Sequence, residues 1–285
     1  MSYSPECLVC GATSWKGIYS NTLLSCNNCG FITANMEVSE EQLQAIYTEN
    51  YFKGEEYLDY LTDERIQKQN FRSRLRELFK QVPQEKPLNA LEIGCAYGLF
   101  GQVLKEDLPQ ANYVGFDVVP EAIYYAQETL KLDARNEDYL TSKSGTKYDA
   151  TFMWDVIEHL PEPEKFIEKI ASESRDGSVL CITTGDIGAL LPRLQKQKWR
   201  LIHPPSHLHY FSAETLSRLV EKYGFELKSV SHPSVKRSFR LTYYSLFMLN
   251  RKYPKWVEKI YNKIPLDYGF SINTFDIVYL IAQKT

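Results

Sequence analysis

The stretch from Leu91 to Gly101 constrains the fold of this chain more than any other feature of the sequence. It reads Leu-Glu-Ile-Gly-Cys-Ala-Tyr-Gly-Leu-Phe-Gly, an apolar run followed by small residues and an amphipathic segment. This order is typical of a β-strand that enters a tight loop and continues as a helix, with backbone N–H groups exposed at the turn. Glycine lets a ligand approach the main chain closely, because it has no side chain. The motif predicts a nucleotide-type ligand and leaves its kind open.

Acidic residues follow the next three predicted strands. The segment Tyr113–Asp117 predicts a second strand, which ends in an acid well placed for a ribose diol. A short third strand around 131–135 is followed by Asp138, which can accept a hydrogen bond from an adenine amino group. The fourth strand is followed by Asp155-Val-Ile-Glu-His-Leu. Ligands of open α/β sheets bind at the carboxyl ends of the strands, so the series predicts one site across all four.

This ordered set resembles the class I S-adenosylmethionine-dependent methyltransferases over residues 86–231. The loop matches the family's glycine motif with alanine at its middle position, and we expect binding to survive with a slightly displaced loop. The run after the fourth strand looks like the family's motif beside the methyl donor, for which a dinucleotide-dependent dehydrogenase offers no reason. The resemblance implies S-adenosylmethionine as the cofactor. The cofactor-binding residues that it implies are Glu92, Gly94, Ala96, Gly98, Asp117, Asp138 and Asp155.

The fold class implied by the resemblance is a doubly wound, Rossmann-like α/β sheet of seven strands whose last strand is antiparallel. We expect a zinc ribbon at 1–36, a helical linker or lid at 37–86 and the methyltransferase domain at 87–285. Ser39 is a good cap for a helix in the linker. Apolar spacing over about 63–81 predicts an amphipathic helix that leads into the core.

Two Cys-x-x-Cys pairs define the N-terminal ribbon. Their separation lies within the range of four-cysteine zinc sites, and turn-forming residues beside each pair predict two tight knuckles. We therefore expect one closed, structural zinc ion. Two disulfides are the alternative, which the absence of an apolar signal segment disfavours. The predicted zinc ligands are Cys7, Cys10, Cys26 and Cys29.

An insertion at about 233–273, between the sixth and seventh strands, mixes basic and aromatic residues. It predicts a pair of helices that cover the active site or form a homodimer. The alternative is contact with a membrane or a lipid-linked substrate through 236–263. No apolar run is long enough for a transmembrane segment, so we expect a cytoplasmic protein. The net charge of −3 argues against nucleic acid as a nonspecific partner.

Histidine is the usual base for a hydroxyl acceptor, and three histidines cluster in the segment 203–210. We expect His207 or His209 to be catalytic, with a pKa near the ordinary value, and His159 to be the next candidate. In an extended segment His207 and His209 point to opposite sides. The competing interpretation is that they bond backbone groups and hold the loop. A metal ion bound by both is a further alternative.

The expected function is methyl transfer to a small molecule or glycan, at a hydroxyl or a carbon. The acceptor is a sugar, a lipid-linked saccharide or a natural-product intermediate, because the four-cysteine module before this domain is similar to sugar and surface-polysaccharide methyltransferases. The alternative is a ribosomal or transfer RNA methyltransferase with a zinc ribbon. Amino-directed enzymes carry an Asn-Pro-Pro-Tyr type motif after the fourth strand, where this chain has Asp155-Val-Ile-Glu.

Overall fold

The computed structural model describes residues 5–39, 42, 60–82, 88–143, 145–248, 252–265 and 268–285. The strands are β1 (Trp15–Ile18), β2 (Leu23–Cys26), β3 (Ile32–Ala34), β4 (Asn89–Ile93), β5 (Asn112–Asp117), β6 (Ala134–Asn136), β7 (Tyr148–Trp154), β8 (Ser174–Gly185), β9 (His209–Tyr210), β10 (Phe225–Ser231), β11 (Val235–Ser238), β12 (Gly269–Ile272) and β13 (Ile277–Lys284). The helices are α1 (Glu64–Gln81), α2 (Leu99–Asp107), α3 (Pro120–Glu128), α4 (Pro163–Glu173), α5 (Leu190–Gln195), α6 (Ala213–Lys222), α7 (Phe239–Phe247) and α8 (Lys255–Tyr261). The helix expected after Ser39 falls mostly outside the described residues.

A seven-stranded mixed sheet forms the centre of the molecule, in the order β10-β13-β8-β7-β4-β5-β6. Strands β4 to β8 run parallel, and β13 is antiparallel to both of its neighbours, β8 and β10. The predicted Rossmann-like sheet with an antiparallel last strand is therefore confirmed. The third predicted strand begins later than expected, at Ala134, because Lys131 has a φ of 55° and belongs to a turn.

The two faces of this sheet are covered by different parts of the chain. Helix α1 turns Phe71, Leu75 and Leu78 onto one face, where they pack with α2 and with residues of β7 and β13. The other face packs against α4, α6 and the N-terminal cysteine module. Ser212 begins α6 with a capping box that also involves Thr215. The helices fix the sheet from both sides and leave its carboxyl edge for the loops.

The cysteine module is a small antiparallel sheet that the rest of the chain completes. Strands β1, β2 and β3 form a meander, and β9 adds a fourth strand through pairing with β3. The buried rings of Phe31 and Phe211 lie with their centroids 5.2 Å apart across this junction. The module is thus built into the domain through the histidine segment, a connection that the sequence did not predict.

The insertion before β13 contains the two predicted helices, α7 and α8. The flanking strands β11 and β12 pair with each other and close the insertion at its base, which was not predicted. Several of its large apolar side chains are exposed: Phe239, Leu246, Phe247, Trp256, Ile260 and Tyr268. Across the described residues, no helix combines the length and apolar character needed to cross a bilayer.

Candidate active site

The loop between β4 and α2 is held in a left-handed conformation and tied to the next strand. Gly94, Ala96 and Gly98 have φ values of 72°, 47° and 76°. A Cβ atom on Gly94 would lie 2.4 Å from Val156 Cγ2, so glycine is required where the loop meets the segment after β7. The backbone N–H of Ala96 donates to Asp117 Oδ2 over 2.8 Å. Alanine is thus accommodated at the middle position, at the cost of a strained φ.

The two acids after β5 and β6 each organise their own turn. The second oxygen of Asp117 accepts from the backbone N–H of Val119 over 2.9 Å. Asn136 donates to the Asp117 carbonyl over 3.1 Å, which joins the ends of β5 and β6. The exposed Asp138 accepts from the backbone N–H of Leu140 over 2.9 Å. Each carboxylate oxygen has a second lone pair, so these acids can still accept from a ligand.

Glu92 lies inside the core rather than on the surface of the loop. It is 2 % exposed, and the hydroxyl of Tyr113 donates to its carboxyl group. Burial raises the pKa of Glu92 well above the ordinary value, and the nearby Asp117 raises it further. The carboxyl group that the sequence predicted near the cofactor thus has a hydrogen-bond partner within the protein, Tyr113.

Two functional candidates that the sequence did not reveal meet at the end of β7: Trp154, its last residue, and Arg74 of α1. The guanidinium of Arg74 lies 5.1 Å from the Trp154 ring centroid and 3.4 Å from Asp155 Oδ2. Asp155 has a φ of 57° and also accepts from the Thr183 hydroxyl over 3.0 Å. Strained residues of this kind cluster at functional sites. Arg74 lies within the helix predicted over about 63–81, and no local motif distinguishes it.

Among the residues that the structure describes, Gln102 Oε1 and Trp154 Nε1 are buried near this edge and have no hydrogen-bond partner. Gln102 is in the first turn of the helix that follows the glycine loop, and Trp154 is the last residue of β7. Buried polar atoms are usually satisfied, so an unsatisfied acceptor and donor call for an explanation. A polar ligand at the carboxyl edge fits both, and it also fits the carboxylates of Asp117 and Asp155.

A buried pair of histidines lies beyond the end of β7. The rings of His159 and His207 pack with centroids 4.4 Å apart, and His203 stacks on His207 at 3.9 Å. Burial, with further contributions from His159 and His203, strongly lowers the pKa of His207. The expectation of an ordinary pKa is therefore wrong for His207, which is a weak base in this position. Burial and the charge of Asp155 raise the pKa of Glu158 to about 8.

His209 contacts the cysteine module. Its Nδ1 lies 3.1 Å from the Thr33 hydroxyl, and its Nε2 lies 3.3 Å from the Pro161 carbonyl oxygen. Burial lowers its pKa to about 4, so the expected ordinary pKa is wrong here too. Because both ring nitrogens have protein partners, this geometry argues against His209 as the base and against a metal ion shared by His207 and His209.

The four N-terminal cysteines converge on one point. The Sγ atoms of Cys7 and Cys29 are 3.6 Å apart, as are those of Cys10 and Cys26. A disulfide requires about 2.05 Å, whereas four sulfurs at the zinc–sulfur distance of a tetrahedral site lie roughly 3.8 Å from one another. The four residues are free thiols, and their ligating atoms all lie within 4.8 Å of each other. Their geometry fits a single tetrahedral metal ion.

Comparison with known proteins identifies the family of the chain. Residues 63–230 match the sequence family described as "Methyltransferase domain", which is more than half of the chain. The chain therefore belongs to the methyltransferase-domain family.

A curated relative is trans-aconitate 2-methyltransferase of Rhodopseudomonas palustris strain BisB5, 28 % identical over 47 % of this chain and 50 % of its own. The chain thus spans about half the length of the curated relatives that it matches.

Among solved structures, a SAM-dependent methyltransferase from Archaeoglobus fulgidus has a TM-score of 0.51 at 20 % identity, over 79 % of this chain and 99 % of its own. Magnesium protoporphyrin IX methyltransferase of Synechocystis PCC 6803, with bound SAH, has a TM-score of 0.50 at 15 % identity, over 77 % of this chain and 84 % of its own. These structures share the fold.

Proposed function

We propose that the chain transfers the methyl group of S-adenosylmethionine to a small molecule or glycan, at a hydroxyl or a carbon. One observation carries the proposal. The glycine loop and the acids Asp117, Asp138 and Asp155 follow four adjacent parallel strands, β6-β5-β4-β7. The carboxyl edge of such a sheet is where nucleotide ligands bind. The family match over the same residues is independent support.

The roles of the residues follow from their positions. The loop at 94–98 would hold the amino acid part of the cofactor, Asp117 the ribose and Asp138 the adenine edge. S-adenosylmethionine supplies an electrophilic methyl group, so the protein mainly has to align it with the acceptor. Arg74 holds Asp155 over 3.4 Å at the boundary between the cofactor and acceptor sides. Asp155 would then orient the cofactor beside the transferred methyl.

The acceptor side is proposed to lie where β7 and β8 end, next to His159 and His207. These rings are 9 % and 6 % exposed, which suits a small and partly enclosed acceptor better than a bulky polymer. The curated relatives are named for a small carboxylic acid, and their partial coverage limits this inference to the class of small molecules. The exposed aromatic residues of α7 and α8 suit contact with an apolar or lipid-linked part of the acceptor.

We also propose that Cys7, Cys10, Cys26 and Cys29 bind a structural zinc ion. Four thiolate ligands leave no open coordination position, so this ion would not take part in catalysis. Its effect would pass through the sheet that the module shares with β9. The backbone N–H of Ala34 donates to the Leu208 carbonyl over 2.8 Å, and Thr33 donates to the same oxygen over 3.1 Å. A folded ribbon would thus hold the histidine segment in place.

The test is a transfer assay with methyl-labelled S-adenosylmethionine and three acceptor pools. The pools are small hydroxy and carboxylic acids, nucleotide-linked and lipid-linked sugars, and total RNA. We expect label in one of the first two pools and S-adenosylhomocysteine in equal amount. An Asp133→Asn variant, changed at an exposed acid paired with Arg135, is the control and should keep full activity. Label in RNA alone would contradict the acceptor class, and failure to bind the cofactor would contradict the function.

A further inference from the structure

A second group of ligating side chains lies apart from the cysteines, directly after β7. Glu158, His159 and His207 place a carboxylate oxygen and two ring nitrogens within 4.8 Å of one another. Their side chains are buried, with exposed fractions of 4 %, 9 % and 6 %. Burying polar groups of this kind is unfavourable unless they are hydrogen-bonded, paired or bound to a metal ion.

The hydrogen bonds made by the described residues leave one oxygen of the Glu158 carboxyl group unsatisfied. Thr184 hydrogen-bonds to this group, but the buried Oε2 has no hydrogen-bond partner among the described residues. An unpaired buried acceptor of this kind is destabilising, because it gives up its hydrogen bonds to water without replacement. Neither His159 nor His207 provides the missing bond, although both rings lie next to it. A cation between the three side chains would satisfy the oxygen.

The two histidines are oriented by backbone groups in the manner of metal ligands. His159 Nδ1 donates to the Ser206 carbonyl over 2.8 Å, which places the lone pair of the neutral ring on Nε2. His207 has a backbone hydrogen bond with Leu201. Metal-bound histidines almost always use their second nitrogen in this way, because the bond fixes the tautomer and the ring plane.

Backbone bonds also fix the two segments that carry the three ligands. The N–H groups of Leu208 and His209 both donate to the Glu158 carbonyl, over 2.9 and 3.0 Å. The segment after β7 and the segment before β9 are therefore joined at the residues that would bind the ion. Such a preformed arrangement reduces the ordering that binding would require.

We propose that Glu158, His159 and His207 bind a divalent transition-metal ion. Two imidazoles and one carboxylate suit zinc or a similar ion, whereas magnesium prefers oxygen ligands. Three protein ligands leave at least one coordination position open. If the proposed function holds, on which this last point rests, that position would take an oxygen atom of the acceptor.

The direct test is the zinc content of the untagged chain after equilibrium dialysis against Zn²⁺. We expect two ions per chain in the wild type, one at the cysteines and one at this site. Glu158→Gln and His207→Asn should each retain one. His232→Asn is the matched control. His232 is not part of the cluster, and its Nε2 lies 2.7 Å from Asp186 Oδ2. This variant should retain two zinc ions. Two ions in both cluster variants would overturn the proposal.

X-ray absorption of the wild-type protein keeps the test valid if a variant fails to fold. The expected zinc spectrum contains nitrogen or oxygen neighbours at about 2.0–2.1 Å as well as sulfur at about 2.3 Å. One zinc per chain with sulfur neighbours alone would overturn the proposal. One zinc with nitrogen and oxygen neighbours would support it and contradict the cysteine site. None of these results depends on methyl transfer, so they separate this site from the proposed function.

Discussion

The two halves of the sheet's carboxyl edge differ in how they are built. In the half proposed to bind the cofactor (the cofactor half), at β4, β5 and β6, the candidate residues at 94–98, 117 and 138 lie at the end of their own strand or in the loop that directly follows it. Ala96 and Asp117, for example, bond over 2.8 Å across two neighbouring strand ends. In the acceptor half, at β7 and β8, the site depends on segments distant in sequence. The backbone N–H of Leu208 donates a hydrogen bond to the Glu158 carbonyl, and β3 of the cysteine module pairs with β9.

The cofactor half is therefore built from segments that are close together in sequence. The acceptor half is built by tertiary contacts between segments that are far apart in sequence. The cofactor half should therefore survive damage to the cysteine module, whereas the acceptor half should not. A substitution in the module that weakened cofactor binding as strongly as turnover would contradict this distinction between the two halves. The predictions below test it in order of decreasing effect.

The largest effect is expected for Cys26→Ser. Loss of one thiolate should remove the zinc and unfold the module, since such modules rarely keep their structure without metal. Turnover should fall on the order of 10²-fold, the cost of misplacing groups around the acceptor, because β9 loses its partner strand. Cofactor affinity should stay within a few-fold. Elemental analysis, a transfer assay and calorimetry measure the three quantities.

The control for this variant is Cys181→Ala, which changes a buried cysteine of β8 outside the module. It should keep its zinc and lose only stability. A Cys26→Ser protein with full turnover would show that the module does not hold the acceptor half together.

A smaller effect is expected for Arg74→Gln. Arg74 is the charged partner of Asp155, and its removal leaves that carboxylate without its ion pair. A lost charge-assisted hydrogen bond costs about 1.5–3 kcal/mol when it is buried, and less here because Asp155 is 41 % exposed. We expect cofactor affinity to fall by roughly threefold to tenfold in a calorimetric titration. Arg72→Gln removes a surface pair on the same helix and should leave the affinity unchanged.

The smallest effect is expected for Ala96→Gly. The φ of 47° costs alanine about 1–2 kcal/mol, part of which the greater flexibility of unfolded glycine offsets. The variant should be more stable to thermal unfolding by about 0.5–1 kcal/mol, with cofactor affinity unchanged. Ala122→Gly, inside α3, should lose about 1 kcal/mol. A destabilised Ala96→Gly protein would mean that the loop is not strained.

Sequence alone predicted the cofactor half because its signals are local. The order of apolar runs, glycines and acids identifies the strands that end in Ile93, Asp117 and Trp154, and the sheet confirms their arrangement. The exception is Glu92, since no pattern reveals that the Tyr113 hydroxyl would bind its carboxyl group inside the core.

The acceptor half was predicted less well because its contacts join distant segments. His209 belongs to a two-residue strand whose partner, β3, lies more than 170 residues earlier in the chain. Nothing near His209 in the sequence indicates that pairing. The low pKa of His207 likewise comes from burial and from His159, which approach it only in the folded chain. Arg74 meets Asp155 across the sheet edge for the same reason.

The central claim is that this chain binds S-adenosylmethionine at the ends of β4, β5 and β6. A calorimetric titration of the wild type and of Asp117→Ala tests it most directly, with Asp133→Ala as the control for an exposed acid nearby. The account predicts stoichiometric binding to the wild type and to the control, and a loss of about 1–3 kcal/mol in Asp117→Ala, the scale of a missing charge-assisted hydrogen bond. A wild type that does not bind, or an Asp117→Ala variant with unchanged affinity, would contradict it.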